Sequence, residues 1–174
     1  AIPASVNPAA SRVYLEVAGY GTTLNARHMT APPPDGGEMA RAIAMALDDA
    51  RVAPADIEYV SAHGSSTPLN DAAETAALKR AFGDHARRLW VSSVKSVIGH
   101  TFGAAGGHQA VAAALAFADG LVPPTVNLQD PDPACDLYCV PGAPRERRLR
   151  AMLQTACGFG GKNAALVSRR PAAA

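Results

Sequence analysis

An excess of charge of either sign is missing from this chain. Lys and Arg number 16 against 15 Asp and Glu, leaving a formal net charge of +1 over 174 residues. Such a balance offers no field to attract nucleic acid or an anionic membrane, and neither is expected as a partner. The one Arg-rich run, Arg145-Glu146-Arg147-Arg148-Leu149-Arg150, is short and broken by Glu, so it reads as a solvated turn face. No apolar run approaches the roughly 18 residues of a spanning helix. The three cysteines (Cys135, Cys139, Cys157) are odd in number and have no metal-ligand spacing with histidine, which argues against a disulfide framework and against a zinc site. The opening residues carry neither a basic stretch nor a long apolar one, so no secretory signal is expected. A soluble, cytoplasmic protein is the expectation. With 48% hydrophobic residues the chain can fill one sizeable core, and one domain follows.

Residues 1–10 are rich in Ala, Pro and Ser and read as a flexible leader to a domain spanning 11–174. Residues 12–21 alternate and end in glycines, which predicts a strand. The prolines and Asp35-Gly36-Gly37 make 25–37 a loop. Met39, Ile43, Ala46 and Leu47 recur with a helical period over 38–50. Further strands are predicted at 57–61 and 89–93. Between them runs a helix capped by Asn70 or Asp71 and ending near Phe82. The Ala- and Gly-rich stretch 103–119 predicts a buried helix, and the prolines of 122–133 make that segment an extended connection. Strands at 152–157 and 163–168 flank Gly158-Phe159-Gly160-Gly161. The order βαβαβαββ implies an α/β fold of layered α-β-α type with a largely parallel sheet.

Two histidines concentrate the chemical information. Ala62-His63-Gly64-Ser65-Ser66-Thr67-Pro68 and Val94-Lys95-Ser96-Val97-Ile98-Gly99-His100 each set His beside Gly, just past a predicted strand. Residues past the carboxyl ends of strands in an open sheet face a common crevice, so both imidazoles can converge on one ligand. One such His is more often structural; two in equivalent places favour a site. Neutral imidazole offers an N–H donor for charge developing on a thioester oxygen, and it moves protons near neutrality. Lys95 and Glu74 read plainly as surface residues, but a buried Lys95 needs a partner, and Glu74 is the candidate.

The remaining candidates have plain readings beside the functional ones. Ser65 and Thr67 are turn formers in isolation; at a crevice mouth they can hold a polar linker such as pantetheine. Phe159 among its glycines is either tucked into the core or an aromatic gate beside free backbone N–H groups. Cys157 is more readily an inert core thiol than a nucleophile or base. His28 and Thr30 line the same mouth or merely bond within their loop. His85 and His108 are given no role.

Together these pieces resemble the C-terminal half of a β-ketoacyl-acyl-carrier-protein synthase of the thiolase-like superfamily, over residues 11–168. Residues 62–68 are similar to its His-Gly-Thr-x-Thr element, Lys95 to His100 to its Lys-Ser-x-x-Gly-His element, and Gly158-Phe159-Gly160-Gly161-Lys162-Asn163 to its Gly-Phe-Gly-Gly-Thr-Asn turn. Val122-Pro123-Pro124-Thr125, Asn127-Leu128 and Cys135-Asp136-Leu137 add family-like sequence. The resemblance implies that His63 and His100 assist decarboxylation of a malonyl thioester and stabilise the enolate. It implies that Lys95 pairs with Glu74, and that Phe159 gates the acyl pocket and lends its N–H to an oxyanion hole. It further implies that Ser65, Thr67, Thr30 and Gly160 meet substrate, the first two through the phosphopantetheine arm of an acyl carrier protein. No metal or other cofactor is implied.

Nothing here resembles the family's Thr-Ala-Cys-type nucleophile elbow, and the three cysteines stand elsewhere. The expectation is therefore a split or nicked enzyme, completed by an N-terminal ketosynthase half chain carrying the catalytic Cys, and dimeric once completed. Smaller departures are Ser65 for Thr, Lys162 for Thr, and Cys157 where Phe is frequent, which would widen the acyl pocket. Alternatives are a non-catalytic chain-length-factor-like subunit, which tends to lose the histidines, a thiolase-type enzyme using Cys157 as base, or an inert fragment.

Overall fold

The computed structural model describes residues 13–171. Strand β1 (Glu16–Leu24) leads through a proline loop into α1 (Gly37–Ala50), then β2 (Tyr59–Ser61), α2 (Pro68–Phe82) and β3 (Trp90–Ser92). A single turn α3 (Lys95–Ile98) and a 3-10 segment, Phe102–Ala104, precede α4 (Ala105–Asp119). Short β4 (Leu121–Val122) and β5 (Arg145–Glu146) pair with each other, and β6 (Ala151–Gly158) turns back as β7 (Lys162–Arg169). The leader read at 1–10 lies outside the described residues.

Five strands form one sheet in the order β1-β7-β6-β2-β3. β6, β2 and β3 run parallel, whereas β7 is antiparallel to both β6 and β1. The sheet is thus mixed, not largely parallel as the element order implied. The cause is local: Gly160 and Gly161, at φ +81° and +75°, reverse the chain within a hairpin turn, and a hairpin can only pair antiparallel.

Alternation along the strands divides the interior in two. Val60 and Leu153 face Ile43, Leu47, Leu78 and Phe82 of α1 and α2. Tyr59 and Met152 face Ala113 and Phe117 of α4 on the other side. This is the layered α-β-α arrangement expected. β1 lies against the backbone of α1, and a Cβ at Gly21 would strike the Ala42 carbonyl.

Two sequence expectations need correction. α2 begins at Pro68 with Thr67 as its N-cap, not at Asn70 or Asp71, because proline fits the first helical position where no N–H is needed. α4 is not a buried helix on all sides. It buries Gln109, Ala113, Ala116 and Phe117, one face at helical spacing, while Val111 and Leu115 remain 60% and 51% exposed. The Arg-rich run is only partly the solvated turn face expected: Arg145, Arg148 and Arg150 are exposed, but Arg145–Glu146 forms β5, Arg147 is half-buried over the Trp90 ring at 4.7 Å, and Leu149 is buried in the core.

Candidate active site

His63 leaves the carboxyl end of β2 and is 6% exposed. Its N–H donates to Glu74 Oε1 (2.9 Å) and more weakly to Thr155 Oγ1 (3.2 Å). The Gly64 N–H donates to Glu74 Oε2 (2.9 Å), and the Thr155 hydroxyl donates to Glu74 Oε1 (2.6 Å). The carbonyl of His63 accepts from Lys95 Nζ, and that of Gly64 from Ser93 Oγ (3.0 Å). Gly64 adopts φ +42°, where an added Cβ would lie 2.5 Å from Ser93 Cβ, so only glycine fits. The His63 ring is consequently set by a backbone with almost no freedom.

The expected Lys95–Glu74 pair is absent as a direct contact: among the described residues no ion pair joins them. Both Glu74 oxygens are taken by N–H groups and a hydroxyl, and Lys95 is drawn to a carbonyl. The two charges bracket the same His63 peptide instead. Burial lowers the Lys95 ammonium below its ordinary value, while Glu74 works against that shift.

His100 follows α3 and is exposed. The two imidazoles stand edge to face with centroids 5.4 Å apart, so the predicted convergence is real. His100 Nδ1 accepts the Phe102 N–H (3.1 Å), and the Phe102 ring stacks on His100 at 5.0 Å. With Nδ1 an acceptor, the neutral His100 ring carries its proton on Nε2. His63 Nδ1 is buried without a partner among the described residues. An orphaned lone pair costs less than an orphaned N–H, so the proton of His63 also belongs on Nε2. Burial first, then the charge of Lys95, pull His63 down to about 4, so it is neutral at physiological pH.

A groove of about 930 Å³ opens beside this pair, lined by Ser65, Thr67, Glu74, Lys95 and His100 and walled opposite by Thr125 to Asp132. Ser65 and Thr67 share a hydrogen bond of 3.0 Å, leaving their hydroxyls exposed. Phe159, Gly160 and Thr30 are not in its lining. They form a neighbouring cluster at the end of β6, the strand beside β2. Phe159 is 74% exposed and so not tucked into the core. Gly160 does not have the free N–H expected of it, because that group donates to the Met29 carbonyl at 2.6 Å. The same bond ties the turn to the loop of Thr30, whose N–H and hydroxyl face His28 Nδ1. Among the described residues the Phe159 N–H has no acceptor.

All three thiols are free, and burial raises each of them. Cys157 is raised most, with Glu74 adding to the effect, so it is a neutral thiol rather than a base. His85 bonds the Ile57 carbonyl and His108 bonds Thr101, both structural roles. Sequence reasoning missed Thr155, Ser93, Phe102 and Gln109. Of these only Phe102, two residues past the second motif, carried a positional signal.

With this geometry in place, similarity to known proteins becomes informative. The sequence profile described as the β-ketoacyl synthase C-terminal domain matches residues 14–129. The chain belongs to that family. It is 50% identical over 161 residues to the tetracenomycin polyketide synthase ketoacyl synthase alpha subunit of Streptomyces glaucescens, covering 92% of this chain and 38% of the relative. It is 48% identical over 160 residues to 3-oxoacyl-(acyl-carrier-protein) synthase 2 of Synechocystis sp., with 92% and 38% covered. Among solved structures, a type II polyketide ketosynthase in complex with its acyl-carrier protein and bound to the hexaketide superposes with TM-score 0.91 at 41% identity, over 93% of this chain and 40% of that one. A β-ketoacyl synthase from Burkholderia phymatum gives 0.86 at 37% identity, over 92% and 38%. The chain thus spans little more than a third of the ketosynthases it matches. Their thiolase-like fold is the fold of this chain. No helix among the described residues is long and apolar enough to cross a membrane.

Proposed function

We propose that this chain is the histidine-bearing part of a β-ketoacyl-acyl-carrier-protein synthase, acting by decarboxylative Claisen condensation. The observation that carries this reading is the pair of imidazoles with ring centroids 5.4 Å apart, whose Nδ1 surroundings leave Nε2 of each ring as the donor. Two such donors suit one developing oxyanion, that of a malonyl thioester losing its carboxylate. The bond from Cα to the carboxylate breaks, CO2 leaves, and the electron pair moves into the enolate, whose oxygen accepts both N–H groups. The enolate carbon then attacks the carbonyl of an acyl-cysteine thioester, and collapse expels the thiolate and leaves a β-ketoacyl thioester on the carrier. The balance needs no oxidant, reductant or metal.

The attacked thioester needs a cysteine, and the three thiols here are protonated and belong to other positions. An N-terminal ketosynthase half carrying that residue completes the site, and the completed unit dimerises. Ser65 and Thr67 at the groove mouth hold the phosphopantetheine arm of an acyl carrier protein, while Phe159 guards the acyl side with its unpaired N–H. Three free thiols fit a cytoplasmic setting. A thiolase-type reaction with Cys157 as base is disfavoured by its strongly raised thiol.

With the N-terminal half supplied, the protein should release CO2 from malonyl carrier protein, and His100→Ala should reduce that release at least about 100-fold. Undiminished release in the variant would overturn the assignment.

A further inference from the structure

Gln109 sits in the second turn of α4 and is 2% exposed. Its side-chain nitrogen lies 3.0 Å from the Ser61 carbonyl, 3.1 Å from that of Ala62 and 3.2 Å from that of Thr155. Three acceptors converge on one point, so only a donor is stable there, and this fixes which end of the amide faces the strands. Ser61 pairs with Gln154 in the last rung joining β2 to β6. Beyond it the strands separate, and the amide spans the gap with two protons shared among three carbonyls.

The backbone from the Ser61 carbonyl to the Gly64 carbonyl is held at every polar group. The Ala62 N–H bonds Ser92, Glu74 takes the next two N–H groups, Lys95 and Ser93 take the following two carbonyls, and Gln109 takes the two carbonyls before His63. Among the described residues only Gln109 bonds this stretch from α4, the helix that starts five residues after His100. It therefore joins the segment that follows one histidine to the backbone that precedes the other.

We propose that Gln109 is a positioning residue that sets the separation of the two imidazoles by tethering α4 to the end of β2. The activity part of its test rests on the proposed decarboxylation; the geometric part does not. Gln109→Met keeps the volume and removes both donors. It should be made in the synthase completed by its N-terminal half, beside Phe117→Leu, a change two turns along the same buried face of α4 that touches none of the carbonyls Gln109 holds. His-selective NMR titration should show His63 moving up from about 4 toward the ordinary histidine value in Gln109→Met. The kcat for malonyl decarboxylation should fall about 10- to 100-fold with KM nearly constant. Phe117→Leu should lower the melting temperature yet leave both readouts in place. If Gln109→Met behaves as Phe117→Leu does, the proposal is overturned. Should Gln109→Met be insoluble, Gln109→Asn, one methylene short of the carbonyls, carries the same expectation, and an unmoved His63 titration in it is equally fatal. A wild-type protein without decarboxylase activity would count against the proposed function and leave the NMR test intact.

Discussion

His63 leaves the end of β2, His100 follows the turn α3 that comes after the neighbouring parallel strand β3, and the two meet ring to ring, yet the fold treats them oppositely. His63 is buried, and its flanking peptides are bonded by Glu74, Thr155, Lys95 and Ser93. His100 is exposed, oriented by the Phe102 N–H and by the stacked ring of a residue that is itself 79% exposed. The contrast teaches that one imidazole is a fixed reference while the other relies on a local turn. Phe102 has φ +50°, an unusual conformation for a bulky side chain and one that aims its N–H back at Nδ1.

The sharpest way to break this contrast is Glu74→Ala. It strands the buried His63 N–H, the half-buried Gly64 N–H and the Thr155 hydroxyl, and should cost about 3–5 kcal/mol in denaturant unfolding. A loss below about 1 kcal/mol would show that the His63 loop is not clamped as described.

A pH titration of stability probes the same side. His63 takes a proton near 4 in the folded chain and near its ordinary 6.5 when unfolded. Between those values the unfolded state binds the proton and the folded state refuses it. Stability should therefore decline as pH falls from 6.5 to 4, by about 2–3 kcal/mol from this group, and His63 should contribute no slope outside that window. His63→Gln should flatten that part of the curve; an unchanged slope would place the protons elsewhere.

The smallest effect belongs to the His100 side. Phe102→Gly relieves the positive φ while removing a solvent-facing ring, so stability should change by no more than about 1 kcal/mol. A loss as large as that of Glu74→Ala would erase the distinction between the two histidines.

Much of the scaffold was legible because it is local. Period-2 alternation pointed to β1, the glycine pair marked the turn between β6 and β7, and the helical recurrence of Met39, Ile43 and Leu47 marked α1. The convergence of His63 and His100 was legible too, because parallel strands of one sheet deliver their following residues to one edge. Side-chain hydrogen bonding was not. Lys95 spends its ammonium on a carbonyl rather than on Glu74, and Gly160 spends its N–H on Met29. Thr155 joins Glu74 across 81 residues, which no spacing rule encodes.

What the amino-acid order decided alone is the set of longer elements, the two glycine-flanked histidines and the turn after Cys157, since each follows from steric and solvation preferences of near neighbours. Tertiary structure alone decided the protonation of His63, the office of Glu74 and Gln109, and which face of α4 stays uncovered. Those depend on which buried polar groups come within hydrogen-bonding range once distant strands and helices pack, and on how much water that packing removes.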